Sequence, residues 1–162
     1  MKLVSDTGPI IGLAKINRIY LLKNLAEEVI IPPMVYKELF GKTGAESTQI
    51  ENALHDFIRI KNELPLDKTT AMILADLDEG EKQAIALSSI SEGNVLLLID
   101  DRAGRAAADK LNVPSTGLIG ILLLSKEKGL IEKVVPLIEN LRHNGYWLSD
   151  EVMEIAKNLA GE

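Results

Sequence analysis

Apolar and polar positions along the chain alternate between two kinds of segment. Short, almost continuously apolar runs occupy residues 2–5, 29–31, 57–61 and 95–99, with a weaker one near Val113. Runs of this length, rich in Val, Ile and Leu, predict strands buried on both faces. Between them apolar residues recur every three or four positions, which predicts helices over residues 9–23, 33–40, 47–56, 67–76, 79–92, 102–112, 117–128, 131–142 and 150–159. The first of these is long enough to be two pieces. Gly93, Gly129 and Gly145 stand just past helical runs, where a left-handed residue ends a helix. Strands alternating with helices give an α/β fold. The expected architecture is a central, mostly parallel sheet of four or five strands with helices on both faces. The helical pair over 131–162 is expected as an extension packed on the same domain, whose main body spans residues 1–130.

Composition narrows the class without changing it. A chain of 162 residues, 46% hydrophobic and 26% charged, can bury one full core. With no cysteine, disulfides, thiolate metal sites and thiol nucleophiles are excluded. The longest apolar stretch, 118–124, contains Gly120 and is too short for a bilayer, and the first residues carry no apolar signal region. A soluble, cytoplasmic protein with no membrane contact is expected. The net charge is −6, and the acidic excess is shared evenly by the two halves. No basic stripe stands ready for phosphates, so nucleic-acid handling would need positive charge from another source.

In an open parallel sheet, ligands bind outside the carboxyl ends of the strands. Here those positions are acidic. The first strand runs into Asp6 and Thr7, and the fourth into Asp100, Asp101 and Arg102. Glu38 lies one turn into the helix after Pro33, and Glu81 follows Asp78, Glu79 and Gly80 at another helix start. Each acid has a plainer reading. Asp6, Asp100 or Asp101 could cap a helix, Asp78 and Glu81 could form a capping box, and Glu38 could be solvated. Gathered at one edge, however, such charges repel unless a cation holds them. Hard carboxylate oxygens without His or Cys suit Mg²⁺ or Mn²⁺ rather than zinc. Ions of that kind polarise a phosphoryl oxygen and lower the pKa of water, as phosphodiester cleavage requires.

At this point the sequence resembles the PIN-domain nucleases, and within them a compact bacterial and archaeal group similar to the VapC-type toxin ribonucleases. The resemblance is carried by residues 4–10 (VSDTGPI), 35–39 (VYKEL), 77–81 (LDEGE) with 84–87 (AIAL), 96–105 (LLLIDDRAGR) and 115–131 (STGLIGILLLSKEKGLI). It implies a PIN-like fold and cleavage of RNA with Mg²⁺ or Mn²⁺ held by acids. It also implies toxin-antitoxin membership for many members, an antitoxin protein as partner and a homodimer. By resemblance Asp6, Glu38, Glu81 and Asp101 are the catalytic acids and metal ligands. Asp100 joins the ligand set at a position where the family often has Asn. Thr7 and Thr116 match hydroxyl positions lining the site. The helix acid is commonly Asp in the family, whereas Glu81 stands here with Glu79 as a rival. Arg102 and Arg105, on the first turns of a helix, are candidates for RNA phosphates.

Other readings fit less well. Gly41, Lys42 and Thr43 look like the end of a phosphate loop, but position 36 is Tyr where that motif needs Gly. His55 and His143 have no ligand spacing. Tyr146 and Trp147 are read as an anchor for the terminal helix. The serious alternative is the same fold serving as a catalytically weak nucleic-acid- or protein-binding module.

Overall fold

The computed structural model describes residues 1–41, 44–62 and 65–162. Lys42 and Thr43 of the phosphate-loop look-alike lie outside the described residues. In chain order the elements are β1 (Lys2–Ser5), α1 (Thr7–Lys15), α2 (Leu21–Leu25), β2 (Glu28–Ile31), α3 (Pro33–Phe40), α4 (Ser47–Asp56), β3 (Ile58–Ile60), α5 (Lys68–Leu74), α6 (Glu79–Ile90), β4 (Val95–Leu98), α7 (Arg102–Lys110), β5 (Ser115–Thr116), α8 (Leu118–Glu127), α9 (Val135–His143) and α10 (Asp150–Ala160). The strands form one sheet in the order β3-β2-β1-β4-β5, every pairing parallel. β1 is the middle strand: Leu3 stands opposite Val29 on one side and Leu96 on the other.

Alternation along each strand divides the core in two. Leu3, Val29, Ile31 and Leu98 face one layer with α1, α3, α4, α8 and α9, where Leu13, Val35, Ile50, Leu122 and Ile138 bury. Val4, Ile30, Leu97 and Ile99 face the other, against Leu74 of α5, Ala84, Ile85 and Leu87 of α6, and Ala107 and Ala108 of α7. Both faces are therefore covered, which is why the strands read as continuous apolar runs. Residues of α9 and α10, Ile138, Leu141 and Ala156, belong to the same core cluster as the strands. Among the described residues no helix is long and apolar enough to cross a membrane.

Helix ends account for the differences from the expected boundaries. The long first helix is indeed two, because Asn17 takes φ 59 and Arg18 N–H returns to the Leu13 carbonyl at 2.8 Å, closing α1. Asn112 (φ 56) and Val113 end α7 in the same way, with Val113 N–H on the Ala108 carbonyl at 2.9 Å. Val113 is thus spent on the helix end, and the fifth strand falls at Ser115–Thr116 instead. α9 starts at Val135 rather than at residue 131, with Pro136 in its first turn, where a missing N–H costs nothing. The three glycines expected to be left-handed are so, at φ 84, 73 and 85.

A fourth left-handed glycine, Gly161 (φ 69), ends α10 and turns Glu162 back onto the fold. The Glu162 carboxylate accepts the N–H of Val134 at 2.7 Å and of Val135 at 3.0 Å, and pairs with Lys126 Nζ at 2.9 Å. It supplies the cap that α9 lacks from its own N-terminal residues. Burial pushes this carboxyl up, but the Val134 N–H, the Lys126 ammonium and the Val135 N–H outweigh it and hold it down at about 2. A carboxyl lowered on folding adds stability above its unfolded value, and loses it as pH falls through the folded one. Glu162→Ala is expected to cost about 1–2 kcal/mol at pH 7 by urea unfolding. Wild type should also lose stability between pH 5 and pH 2 more steeply than Glu162→Gln. Equal slopes would remove the charged cap.

Candidate metal-binding active site

Because all five strands run one way, their carboxyl ends share an edge, and the loops leaving that edge carry the acids. β1 delivers Asp6, β4 delivers Asp100 and Asp101, and β5 leads through Gly117 into α8. Glu38 comes from α3, which follows β2, and Glu81 from the first turn of α6. Close packing of α3 on α6 brings these two helices to the edge together. Gln83 of α6 accepts the Met34 N–H at 2.9 Å and so caps α3. Gly80 makes room for Glu38, since a Cβ there would sit 2.7 Å from Glu38 Oε1.

The side chains divide by what they already hold. Glu38 Oε2 accepts the Thr7 hydroxyl at 2.5 Å. Asp78 and Glu81 form the reciprocal capping box, Glu81 N–H to Asp78 at 2.9 Å and Asp78 N–H to Glu81 at 3.3 Å. Asp101 caps α7 through the Gly104 N–H at 2.7 Å. Asp100 accepts the Leu118 N–H at 2.7 Å on one oxygen and the Tyr146 hydroxyl on the other. Arg105 Nη1 is turned onto the main-chain oxygens of Ile99 and Asp100, at 3.2 and 2.5 Å. Arg102 is exposed at the start of α7. The Thr116 hydroxyl lies 3.5 Å from the Gly117 carbonyl. Asp6 differs from the other strand-end acids: it occupies the N-cap position of α1 and makes no side-chain cap bond.

Electrostatics tie these positions together. Burial lifts the Asp6 carboxyl, the Thr7 N–H pulls it back, and the charges of Asp78, Glu38 and Asp100 lift it further, to about 6. Glu81 is raised to about 7, by burial first and then by Asp78, Asp101 and Asp6. The Tyr146 hydroxyl is held far above its ordinary range by burial and by the neighbouring Asp100 charge. The five acids expected at the edge, Asp6, Glu38, Glu81, Asp100 and Asp101, thus lie within one negative field. Asp78 belongs to it as well, though its sequence position suggested only a helix cap. Tyr146 is the other residue that sequence reasoning missed as part of the edge. Its expected companion as an anchor, Trp147, is 84% exposed and anchors nothing, because the chain turns its indole outward before α10.

Among the described residues no three acidic or histidine side chains stand in chelating geometry. Glu81, Asp101 and Asp100 rest on backbone N–H groups at helix starts and Glu38 on a hydroxyl. The donor chemistry nevertheless suits a hard divalent cation, with carboxylate oxygens from four segments, one of them a half-buried Asp6 without a cap bond. Asp6, Glu38, Glu81, Asp100 and Asp101 are the groups that could hold Mg²⁺ or Mn²⁺.

The raised carboxyls have a stability signature. A group whose folded pKa lies above its unfolded value stabilises the fold while protonated, and that contribution is lost as pH rises through the folded pKa. Metal-free protein is therefore expected to lose stability from pH 5 to pH 7.5, the window set by about 6 for Asp6 and about 7 for Glu81. Asp6→Asn should flatten that slope and be more stable at pH 7.5 by on the order of 1 kcal/mol. Thermal melts in EDTA at several pH values check this. A slope unchanged in Asp6→Asn would show that Asp6 is not under repulsion.

Comparison with known proteins is consistent with this geometry. Among curated proteins and among solved structures, none matches the chain. A family model described as a PIN domain matches residues 2–162, which takes in the sheet, the carboxylate edge and both terminal helices. The all-parallel α/β sheet with acids at its carboxyl edge is thus the nuclease-type fold of that family, and the chain belongs to the PIN-domain family.

Proposed function

We propose that this protein is a Mg²⁺- or Mn²⁺-dependent endoribonuclease acting in the cytoplasm. The observation that carries the reading is Asp6: a half-buried carboxylate at a helix start, without a cap bond, raised by burial first and then by the charges of Asp78, Glu38 and Asp100. A divalent cation would offset the like charges gathered around such a carboxylate. The bound ion would polarise the scissile phosphoryl group and lower the pKa of the attacking water. Asp6, Glu38, Glu81 and Asp101 are the catalytic acids of this reading, with Asp100 beside them. Thr7 keeps Glu38 turned toward the edge through its hydroxyl bond. Arg102, exposed, is placed to meet an RNA phosphate, and the guanidinium of Arg105 has N–H donors left beyond the two bonds from Nη1 to the main chain. Thr116 lines the same edge.

The proposal extends to partners. Residues 1–130 form the catalytic part and 131–162 the extension that supplies a contact surface. Leu159, 70% exposed, borders a groove of about 570 Å³ between α8 and α10 that the half-buried Leu123 and Leu124 also line, and Ile155 of α10 is 52% exposed. Such a surface fits a homodimer, and an antitoxin protein would restrain the active form. Light scattering at tens of micromolar should give the dimer mass; the monomer mass contradicts this part.

One observation favours the second reading, a binding module with a weakened site: Glu81 and Asp101 are both occupied as helix caps. Cleavage separates the two. With clean protein and Mn²⁺, RNA fragments are expected to end in 3′-hydroxyls, since a water nucleophile needs no 2′-hydroxyl attack. Activity should vanish in EDTA and fall at least 100-fold in Asp6→Asn. Millimolar Mn²⁺ should raise the melting temperature of wild type by mass action, and that rise should be largely lost in Asp6→Asn. Cyclic phosphate ends, or cleavage that survives EDTA, would sink the mechanism.

Gly80 gives a finer test. In Gly80→Ala the new methyl group meets only the mobile end of Glu38, so the helix should tolerate it or gain up to about 1 kcal/mol. Glu38 must swing off the Thr7 hydroxyl, and Mn²⁺ affinity by calorimetry should drop. Unchanged affinity would take Glu38 out of the site.

A further inference from the structure

The segment 131–162 returns to the carboxylate edge at one residue, Tyr146. Its backbone is set by the end of α9 and not by a free loop. Gly145 takes φ 85, its N–H bonds the Arg142 carbonyl at 3.2 Å, and the Tyr146 N–H bonds the Leu141 carbonyl at 2.9 Å. These paired bonds are the Schellman ending, which places the residue after the glycine in a fixed direction. The Tyr146 ring lies over Gly12 of α1, where a Cβ would stand 3.4 Å from its Cε2 atom. Its hydroxyl donates to Asp100 Oδ2.

Asp100 is thereby held from three sides. Leu118 N–H donates to Oδ1 at 2.7 Å, Tyr146 donates to Oδ2, and Arg105 grips the main-chain oxygens of Ile99 and Asp100. Gly117 allows the approach, because a Cβ there would sit 2.7 Å from Oδ1. An ionised carboxylate has about four lone-pair sites, so two accepted bonds leave others open and fix where they point. Hydrogen-bond partners of ligating carboxylates act in this way at metal centres, and their loss typically lowers metal affinity about 10–100-fold.

We propose that Tyr146 is a positioning residue for the candidate metal site: its hydroxyl, working against the Leu118 N–H, fixes the carboxylate plane of Asp100 toward the edge it shares with Asp6. The purpose of this contact rests on the metal-dependent reading above; its geometry rests on the Tyr146, Asp100 and Leu118 contacts alone. The terminal helix pair thus reaches the site through one oxygen atom. A change in how α9 and α10 pack would be felt at Asp100.

The test uses the whole chain in two measurements. Tyr146→Phe keeps the ring on Gly12 and removes only the donor. By calorimetry it should weaken Mn²⁺ binding about tenfold, and in an Asp100→Asn background it should have no further effect. In amide NMR spectra of metal-free protein, the Leu118 resonance should shift in Tyr146→Phe and again not respond once Asp100 is Asn. A purely structural role for the ring predicts no change in either. Wild-type Mn²⁺ affinity together with an unmoved Leu118 amide in Tyr146→Phe overturns the proposal. Absence of Mn²⁺ binding by wild type, with a Leu118 amide that still answers to Tyr146→Phe, overturns the metal reading and leaves the positioning contact supported.

Discussion

Parallel pairing of β1 between β2 and β4 is the constraint on which the rest depends. A parallel ladder cannot be closed by a hairpin, so each return of the chain needs a crossover, and the crossovers cover the sheet with helices. The same rule sends all carboxyl ends to one edge. Asp6 and Asp100, remote in sequence, become neighbours because Ser5 pairs with Leu98 in register. A shift of one residue in that ladder would exchange the two faces of β1 and break both core layers at once.

The edge manages its charge through helix starts. α6, α7 and α8 each turn backbone N–H groups toward an acid, and a helix N-terminus carries a partial positive charge that offsets a carboxylate. Asp78, Asp101 and Asp100 are satisfied in that way. Asp6 makes no such bond, and burial first, then the repulsion that remains, lifts the carboxyls of Asp6 and Glu81. The fold therefore keeps most of the carboxylate edge in electrostatic balance while Asp6 makes no helix-cap bond. Cap and ligand are alternative uses of the same oxygens, so the plain and the chemical readings of these acids do not exclude each other.

Much of this was legible in the sequence because the strands are buried on both faces and the helices have clear periods. The α3 and α4 boundaries follow from Pro33 and from the periodic run ending at Asp56. Asp6, Asp100 and Asp101 were legible because strand ends are where ligands bind, whereas Glu38 and Glu81, on helices, were read from helix starts and from the family resemblance. What the sequence hid is non-local. Asn17 and Asn112 end helices in the left-handed region, which local composition signals only weakly. Glu162 caps a helix that begins far upstream of it, and no pattern of spacing announces such a bond. Tyr146 reads as an apolar anchor until its hydroxyl is seen on Asp100. Trp147 shows the converse error, since a large aromatic was expected inside and stands in solvent.

The strand order also fixes when the molecule can become itself during synthesis. β3, β2 and β1 leave the ribosome first and can pair, but one side of β1 stays open until residues 95–98 emerge to form β4. Over that interval the nascent chain carries a bare parallel edge, the kind of surface that recruits foreign strands. Asp100 arrives only with the strand that closes this gap, and Tyr146 later still. A truncated or stalled chain consequently holds Asp6 and Glu38 without Asp100 and Tyr146, so the carboxylate edge is complete only once residue 146 has emerged.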